Sequence, residues 1–287
     1  MIDGKRVVVW TPYGRERTVS ILFDYVRREV ERGIVDEYWL CMNTDPEQVS
    51  DVTFAMRLDL LHPFVKRVER PAEGAPRLFP KQRNTGYFYR YMTDPDTVFV
   101  RLDDDVVFVD ENAIERLVRH RIETQVGVAS FALIWNNAIC SWYLQKAGII
   151  PEDFGVVWTM HCMDPMGWAN PEFAVRIHNY LLDALSIGTS TEKFFLYQDM
   201  SLPLGTQFSV SAFASLGSMY AELGRPGVLE PSEEESWHTI HQPRRTGQPN
   251  TVVGNALVSH YTFFPQKAVV EQTDILDRYR ALAKELT

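Results

Sequence analysis

Three consecutive aspartates, Asp103, Asp104 and Asp105, interrupt the segment TVFVRLDDDVVFVD at residues 97–110. The β-branched and apolar runs on either side predict two strands, Thr97–Leu102 and Val106–Val109. Three carboxylates at a strand end repel one another and raise some of their pKa values unless a cation lies among them. The cluster therefore predicts either a metal site or a solvated acidic turn.

The spacing of the aspartates bears on which of them act together. On an extended chain, side chains two positions apart point to the same side, so we expect Asp103 and Asp105 to face one side and Asp104 the other. Hard carboxylate oxygens suit Mg²⁺ or Mn²⁺. Such an ion completes its shell with substrate phosphates and water, which favours a diphosphate ligand at this position.

The first half of the chain alternates predicted strands and helices. Predicted strands are Arg6–Trp10, Glu37–Met42, Phe64–Val68 and the aspartate strand, and predicted helices are Val19–Val30, Pro80–Met92 and Glu111–Arg121. This order predicts an α/β fold with a mixed, mainly parallel sheet flanked by helices. Ligands of such sheets bind beyond the carboxyl ends of the strands. The turns Thr11–Gly14, Asn43–Pro46 and Asp103–Asp105 are therefore expected to line one crevice.

The second half is less regular. We predict helices over Pro171–Leu185, Ser209–Leu223 and Thr273–Leu286, a helix start at Glu230–Trp237, and a strand over Thr251–His260. Neither a repeat nor a low-complexity linker is visible in the sequence. We expect one domain over residues 1–287, with a ligand-binding half at 1–125 and a second half at 126–287.

Composition limits the classes of function. The net charge of −9 and the pI of about 5.3 make nucleic acid an unlikely partner without excluding it. The three cysteines are widely spaced and form no CxxC pair, so we expect free thiols and a cytoplasmic protein. The sequence contains no signal peptide and no apolar run of about 20 residues that would span a membrane. The motifs GxSxG, GxGxxG, HExxH and the P-loop are also absent from it.

At these residues the chain resembles a family. The segment VRLDDDVVFVD is similar to the DxD region of the GT-A glycosyltransferases, which have a Rossmann-like α/β fold and use nucleotide-sugar donors. The resemblance implies that Asp103 and Asp105 hold the metal and that Asp104 lies near the ribose or the metal. It also implies that the ends of the first two strands hold the nucleotide, through Thr11, Pro12, Tyr13, Arg15, Asn43 and Thr44.

The same resemblance implies further site residues. A late histidine often completes the metal shell in that family, which here matches His260, and a nitrogen ligand favours Mn²⁺ over Mg²⁺. Inverting members carry a carboxylate base at a helix start upstream of that histidine. The segment PSEEESWHT offers Glu234 or Glu235, although Ser232 with Glu235 is also a capping box. Asp199 is the rival base.

Other residues are candidates for contacts with the substrates. Lys81 and Arg83 could bind the donor diphosphate or lie on a solvated helix face. An aromatic-rich segment offers His161, Asp164 and Trp168 as acceptor-binding residues, and Trp237 could stack on a sugar; a core cluster under a loop is the alternative.

The predicted function is transfer of a hexosyl or pentosyl group from a nucleotide-diphosphate sugar, the Leloir type of donor, with Mn²⁺ or Mg²⁺ as cofactor. The acceptor is expected to be a glycan, a glycolipid or another molecule with a hydroxyl group. A sugar-phosphate nucleotidyltransferase is the alternative enzyme, although its usual Gly-rich loop after the first strand is missing. A non-catalytic nucleotide-sugar or glycan-binding protein is the third possibility.

Overall fold

The computed structural model describes residues 1–71, 77–78, 81–124, 127–228 and 233–287, with only the backbone of residues 82 and 83. Its described part contains one sheet of nine strands, in the order β3-β2-β1-β4-β8-β6-β9-β5, with β7 pairing to β9. The strands are β1 (Arg6–Tyr13), β2 (Glu37–Met42), β3 (Val65–Val68), β4 (Thr97–Leu102), β5 (Val106–Val109), β6 (Ser130–Trp135), β7 (Met200–Ser201), β8 (Ala212–Leu216) and β9 (Thr251–His260).

Most of these strands share one direction. The neighbours β3, β2, β1 and β4 are parallel, and β6 is parallel to β9. The strand β8 runs antiparallel to both β4 and β6, while β5 and β7 run antiparallel to β9. The predicted mixed, mainly parallel α/β sheet is confirmed, and the carboxyl ends of β1, β2, β4, β6 and β9 meet at one edge.

Helices cover both faces of the sheet. They are α1 (Glu16–Glu31), α2 (Val49–Leu61), α3 (Ala113–Thr124), α4 (Ala138–Lys146), α5 (Pro171–Ser186), α6 (Gly217–Leu223), α7 (Glu233–Ser236), α8 (Gln242–Thr246), α9 (Lys267–Val270) and α10 (Ile275–Leu286). A 3₁₀ segment occupies Lys81–Tyr91, and π-helical turns occupy Pro165–Ala169 and Trp237–His241.

Alternation along β1 shows why two cores form. Val7 and Val9 face a larger core that includes side chains of α1, α3, α5 and α10, whereas Val8 and Trp10 face a smaller one. The smaller core contains Phe88 and Tyr89 of the 3₁₀ segment, Tyr220 of α6, and Trp237. Because successive strand side chains point to opposite faces, an apolar strand of this kind requires cover on both sides.

The predicted elements compare with the structure as follows. The strands β2, β4, β5 and β9 have their predicted bounds, and α1, α3, α5 and α10 differ from prediction only at their ends. The turn predicted at Thr11–Gly14 is wrong in part, because β1 continues to Tyr13 in register with Met42 of β2. The predicted starts at Pro80 and Glu230 lie outside the described residues.

The helix predicted over Ser209–Leu223 is wrong. Residues Ala212–Leu216 form β8 between β4 and β6, and only Gly217–Leu223 is helical. Small residues such as Ala and Ser have low intrinsic strand propensity, and burial between two strands overrides it. The sequence analysis also did not assign α2, β6, α4, β7, α8 and α9.

Across the described residues, none of the helices is long and apolar enough to cross a membrane.

The junction of β8 and α6 yields a test of this packing. A Cβ atom at Gly217 would overlap the backbone oxygen of Asp94, which lies just before β4. Because a backbone oxygen cannot move aside cheaply, we expect Gly217→Ala to lower the free energy of unfolding by about 1–3 kcal/mol. Urea denaturation measures this, with Ser218→Ala as the neighbouring control. Equal stability of the two variants would contradict the close approach.

Candidate active site at the carboxyl edge of the sheet

A cleft of about 530 Å³ lies at the edge where the parallel strands end. Residues that follow β1, β2, β4 and β9 line it, together with the start of the 3₁₀ segment and the segment before α9. The lining residues are Pro12, Gly14, Arg15, Asn43, Gln48, Lys81, Thr85, Arg101, Asp103, Asp104, Asp105, His260, Thr262, Phe264 and Lys267. The crevice expected from the strand order is therefore present in the structure.

The aspartates form a turn rather than an extended segment. The Val106 amide donates to the Asp103 carbonyl at 3.1 Å, and the Tyr261 amide at the end of β9 donates to the Asp105 carbonyl at 2.9 Å. Asp104 and Asp105 consequently share one partner, Arg15, whereas Asp103 bonds to Arg101. The hydrogen bonds to arginine thus pair Asp104 with Asp105 and not Asp103 with Asp105, because the two-residue alternation holds only for extended backbone.

Arg15 supplies the counter-charge to two of the carboxylates. Its guanidinium Nε lies 3.1 Å from Asp104 and its Nη2 lies 2.9 Å from Asp105. Burial raises the pKa of Asp104 to about 6, although Arg15 opposes this shift. Burial also acts on Asp105, but there His260 and Arg15 outweigh it and hold the pKa below its usual range. The turn therefore keeps Asp105 ionised and leaves Asp104 titratable near neutral pH.

His260, the last residue of β9, contacts the same turn. Its Nε2 lies 3.2 Å from Asp105 Oδ1, and only 4% of the residue is exposed. Burial lowers the pKa of this imidazole, but the Asp105 carboxylate outweighs burial and raises it overall. The other ring nitrogen, Nδ1, is buried and has no hydrogen-bond partner in the part of the chain that the structure describes.

These residues fit a divalent cation in chemistry. The Asp105 carboxylate and the His260 imidazole lie close together. A buried ring nitrogen without a hydrogen-bond partner, such as His260 Nδ1 among the described residues, is uncommon in folded proteins. Within the described residues, however, no group of three acidic, histidine or cysteine side chains already surrounds a common point. Arg15 provides the positive charge there, and Asp105 and His260 are the pair closest to a ligand arrangement.

A buried ion network extends from Asp103 to the other side of the cleft. Arg101 donates to Asp103 from Nε at 2.9 Å and Nη2 at 2.7 Å, and its Nη1 pairs with Glu234 of α7. Tyr89 also donates to Glu234, and the guanidinium lies 5.3 Å from the centre of the Trp10 ring. Sequence reasoning missed Arg101, although an arginine inside the apolar strand VFVRL was a visible signal of a buried charge.

The two candidate bases of α7, Glu234 and Glu235, have different partners, because Glu234 alone bonds to Arg101. Glu234 is 7% exposed and its carboxylate already binds Arg101 and Tyr89. Glu235 is half-buried, accepts a hydrogen bond from the amide of Gln207, and has a pKa raised by burial to about 6. Among the described residues, Glu235 thus has one side-chain partner, Gln207, against two for Glu234. The capping partner Ser232 lies outside the described residues.

Asp199, the rival base, lies away from the cleft. Its carboxylate accepts from the Gly254 amide and lies 3.7 Å from His120. Gly254 precedes His260 by six residues along β9, which corresponds to roughly 20 Å of strand. Asp199 therefore stands near the opposite edge of the sheet, and its role as a base stays a prediction that this position does not favour.

The nucleotide candidates divide into lining and supporting residues. Pro12, Arg15, Asn43 and Lys81 line the cleft, and Lys81 also pairs with Asp45. Three others are buried beneath it with internal partners: Thr11 with the Tyr38 hydroxyl, Tyr13 with the Asp51 carbonyl, and Thr44 with the Gly14 carbonyl. The Arg83 side chain lies outside the described residues.

The acceptor candidates are spread over different environments. Asp164 caps the π-helical turn after it and accepts from Thr159, Met166 and Gly167, so its carboxylate is used locally. Trp237 is 8% exposed and stacks on Tyr220 in the smaller core. His161 is exposed and Trp168 half-buried. Burial, and secondarily the charge of Glu235, raises the pKa of the neighbouring Cys162 thiol to about 11.

Comparisons with known proteins support the fold. No family model matches the chain, and no curated protein matches it significantly. Among solved structures, GalNAc-T7 with UDP, GalNAc and Mn²⁺ aligns with a TM-score of 0.54 at 14% identity, over 99% of this chain and 48% of that one. The chain therefore has the GT-A nucleotide-sugar glycosyltransferase fold and spans about half the length of that structure.

Two further matches have lower scores. Glucosyl-3-phosphoglycerate synthase from Mycobacterium tuberculosis, with Mn²⁺, UDP and glucosyl-3-phosphoglycerate, aligns at a TM-score of 0.46 and 11% identity, over 98% of this chain and 81% of that one. CMP:2-keto-3-deoxy-manno-octonic acid synthetase with CTP aligns at 0.47 and 12% identity, over 99% and 100% of the two chains.

The ion network predicts a non-additive pair of substitutions. Arg101→Met leaves Glu234 and Asp103 without their buried cation, so we expect a loss of about 3–5 kcal/mol in the free energy of unfolding. Adding Glu234→Gln removes one of the stranded charges and should recover part of that loss. Denaturation of both single variants and the double variant measures the coupling. Simple additivity would show that Arg101 and Glu234 do not act as a pair.

Proposed function

We propose that the chain is a metal-dependent glycosyltransferase that moves a sugar from a nucleotide-diphosphate donor to an acceptor hydroxyl. The observation that carries the proposal is the cleft itself. It gathers three aspartates, His260 and the cations Arg15 and Lys81 from separate elements at the ligand-binding edge of a GT-A fold. We also propose one domain over residues 1–287, since β4 of the first half pairs with β8 of the second.

Donor binding follows from the charges at this edge. Asp103, Asp105 and His260 would hold Mn²⁺ or Mg²⁺, which when bound supplies positive charge to the leaving diphosphate. Arg15 and Lys81 would contact the diphosphate oxygens, and Arg15 can do so with paired hydrogen bonds. Pro12 and Asn43 at the ends of β1 and β2 would bound the nucleoside.

Glu235 is the residue we assign to the acceptor. It follows the network glutamate on α7, burial raises its pKa to about 6, and the charges of Glu234 and Asp103 act on it. In an inverting reaction its carboxylate would accept the proton of the acceptor hydroxyl as that oxygen attacks the sugar. Gln207 would orient the carboxylate through its amide.

The two alternatives differ from this proposal in their products. A sugar-phosphate nucleotidyltransferase would release pyrophosphate, whereas a glycosyltransferase releases a nucleoside diphosphate. The segment at the end of β1, TPYGR, has one glycine. It therefore lacks the Gly-rich loop that is typical of a sugar-phosphate nucleotidyltransferase. A non-catalytic binding protein would give neither product in a single-turnover assay with donor.

Binding of nucleoside diphosphates tests the donor site. We expect one of a panel of nucleoside diphosphates to bind only in the presence of Mn²⁺, because the aspartate turn and the diphosphate repel each other without a cation. Asp105→Asn should abolish that binding, whereas Asp277→Asn, at an exposed position of α10, should leave it unchanged. Calorimetry measures both. Metal-independent binding of equal strength, or full binding by Asp105→Asn, would refute the metal-dependent site.

The pH profile tests the base. A base acts when deprotonated, so a pKa near 6 predicts that the transfer rate rises with pH through about 6 and then levels off. An ordinary glutamate would give this limb at about 4.5. Glu235→Gln should remove the limb and lower the rate roughly 10²- to 10⁴-fold. Glu285→Gln on α10 is the control, and an unchanged limb in Glu235→Gln would exclude Glu235.

A further inference from the structure

The helix α2 presents apolar side chains to solvent. Val49, Met56 and Leu60 are 68%, 51% and 84% exposed, and their spacing places them along one face of the helix. The opposite face is also apolar, since Phe54, Ala55 and Leu58 pack into the protein. Two opposite faces of α2 therefore carry apolar side chains, although Thr53, Arg57 and Asp59 are also exposed, and a cluster of exposed apolar residues marks a candidate interaction surface.

An arginine-lined cavity adjoins this exposed face. It has a volume of about 250 Å³ and is lined by Val52 of α2 and by Met42, Thr44, Pro46, Arg67, Glu69, Arg70 and Arg77. Among the described residues, the buried Arg70 Nη1 has no hydrogen-bond partner, while Arg77 pairs with Asp45 at 2.6 Å. A buried guanidinium nitrogen without a partner is costly, and an anionic oxygen is the group that would satisfy it.

We propose that the α2 face and this cavity together form a peripheral docking site for an anionic phospholipid bilayer. Val49, Met56 and Leu60 would enter the boundary between headgroups and acyl chains, and Arg67 and Arg70 would bind lipid phosphates. The apolar face of α2 would bind an apolar group and the arginine-lined cavity would bind an anionic group. A phospholipid carries both groups in one molecule. The face and the cavity adjoin through Val52, which belongs to the helix and also lines the cavity.

Charge also favours a bilayer on this side of the molecule. The chain as a whole has a net charge of −9. Residues 49–70 are locally positive, with Arg57, Lys66, Arg67 and Arg70 against Asp51, Asp59 and Glu69. An anionic surface would attract this segment and repel most of the remainder, which would set the orientation of docking.

A second copy of the chain fits less well as the occupant. A two-fold contact through this patch would bring the arginines of both copies together. Three or four exposed side chains also provide much less than the roughly 800 Å² per partner that a stable interface buries.

The position of the helix bears on the proposed reaction. Gln48 lines the cleft and Val49 begins the exposed face, so docking would hold the cleft mouth next to the bilayer. On the premise of the proposed glycosyltransferase function, the acceptor would then be a hydroxyl carried by a membrane-bound molecule.

Vesicle flotation tests the docking site directly. The full chain should float with vesicles of phosphatidylcholine mixed with phosphatidylglycerol and much less with phosphatidylcholine alone. The double variant Met56→Glu/Leu60→Glu should lower the bound fraction at least about tenfold. Arg70→Gln should narrow the difference between the two vesicle types. Ile187→Glu, which changes an 82% exposed apolar residue just after α5, is the matched control and should float as the wild type does.

Three results would overturn the proposal. These are no flotation of the wild type, equal flotation of Met56→Glu/Leu60→Glu, and a dimer in light scattering that this double variant abolishes without any vesicle binding. Calorimetric binding of nucleoside diphosphate, measured on the same variants, should match the wild type because the substituted residues lie outside the cleft. Flotation therefore tests the docking site, and calorimetry separately tests the proposed donor site.

Discussion

A single buried arginine holds the acidic edge of the sheet together. Arg101 lies on the central strand β4 and neutralises Asp103 on one side and Glu234 on the other, with the Trp10 ring against its guanidinium. Without that cation, two carboxylates of the site would face each other in a medium of low polarity, where repulsion is strong. The same contact fixes α7 against β4, so the neighbouring Glu235 takes its position relative to the aspartate turn from Arg101.

The curl of the sheet brings the late histidine to the aspartates. The strands β4 and β5 are four positions apart in the sheet, about 19 Å if the sheet were flat. Only Asp103, Asp104 and Asp105 connect them, and that length of chain reaches at most about 14 Å. The sheet must therefore bend around the turn, and this bend places His260 of β9 opposite Val106 and beside Asp105.

Counter-charges are arranged differently on the two sides of the cleft. On the aspartate side, Arg15 and His260 share Asp105, and Arg15 remains partly accessible from the cleft. On the α7 side, Arg101 is enclosed and serves the structure. Arg15 and Lys81 are therefore the cations that would bind an incoming diphosphate. The buried pair of Arg101 and Glu234 holds β4 and α7 in place. The proposed docking face on α2 lies beside the first of these two sides.

The sequence by itself determined the layered fold, because apolar runs and helical spacing record local geometry and the cover that each face requires. It also determined that the turns after β1, β2 and β4 would meet, since parallel strands end at one edge. Tertiary structure alone decided that Ala212–Leu216 is a strand, that Asp104 groups with Asp105, and that Glu234 binds Arg101 and Tyr89. These outcomes depend on partners more than 80 residues away in the chain, such as Arg15 for the aspartates and Arg101 for Glu234, and no local pattern encodes such partners.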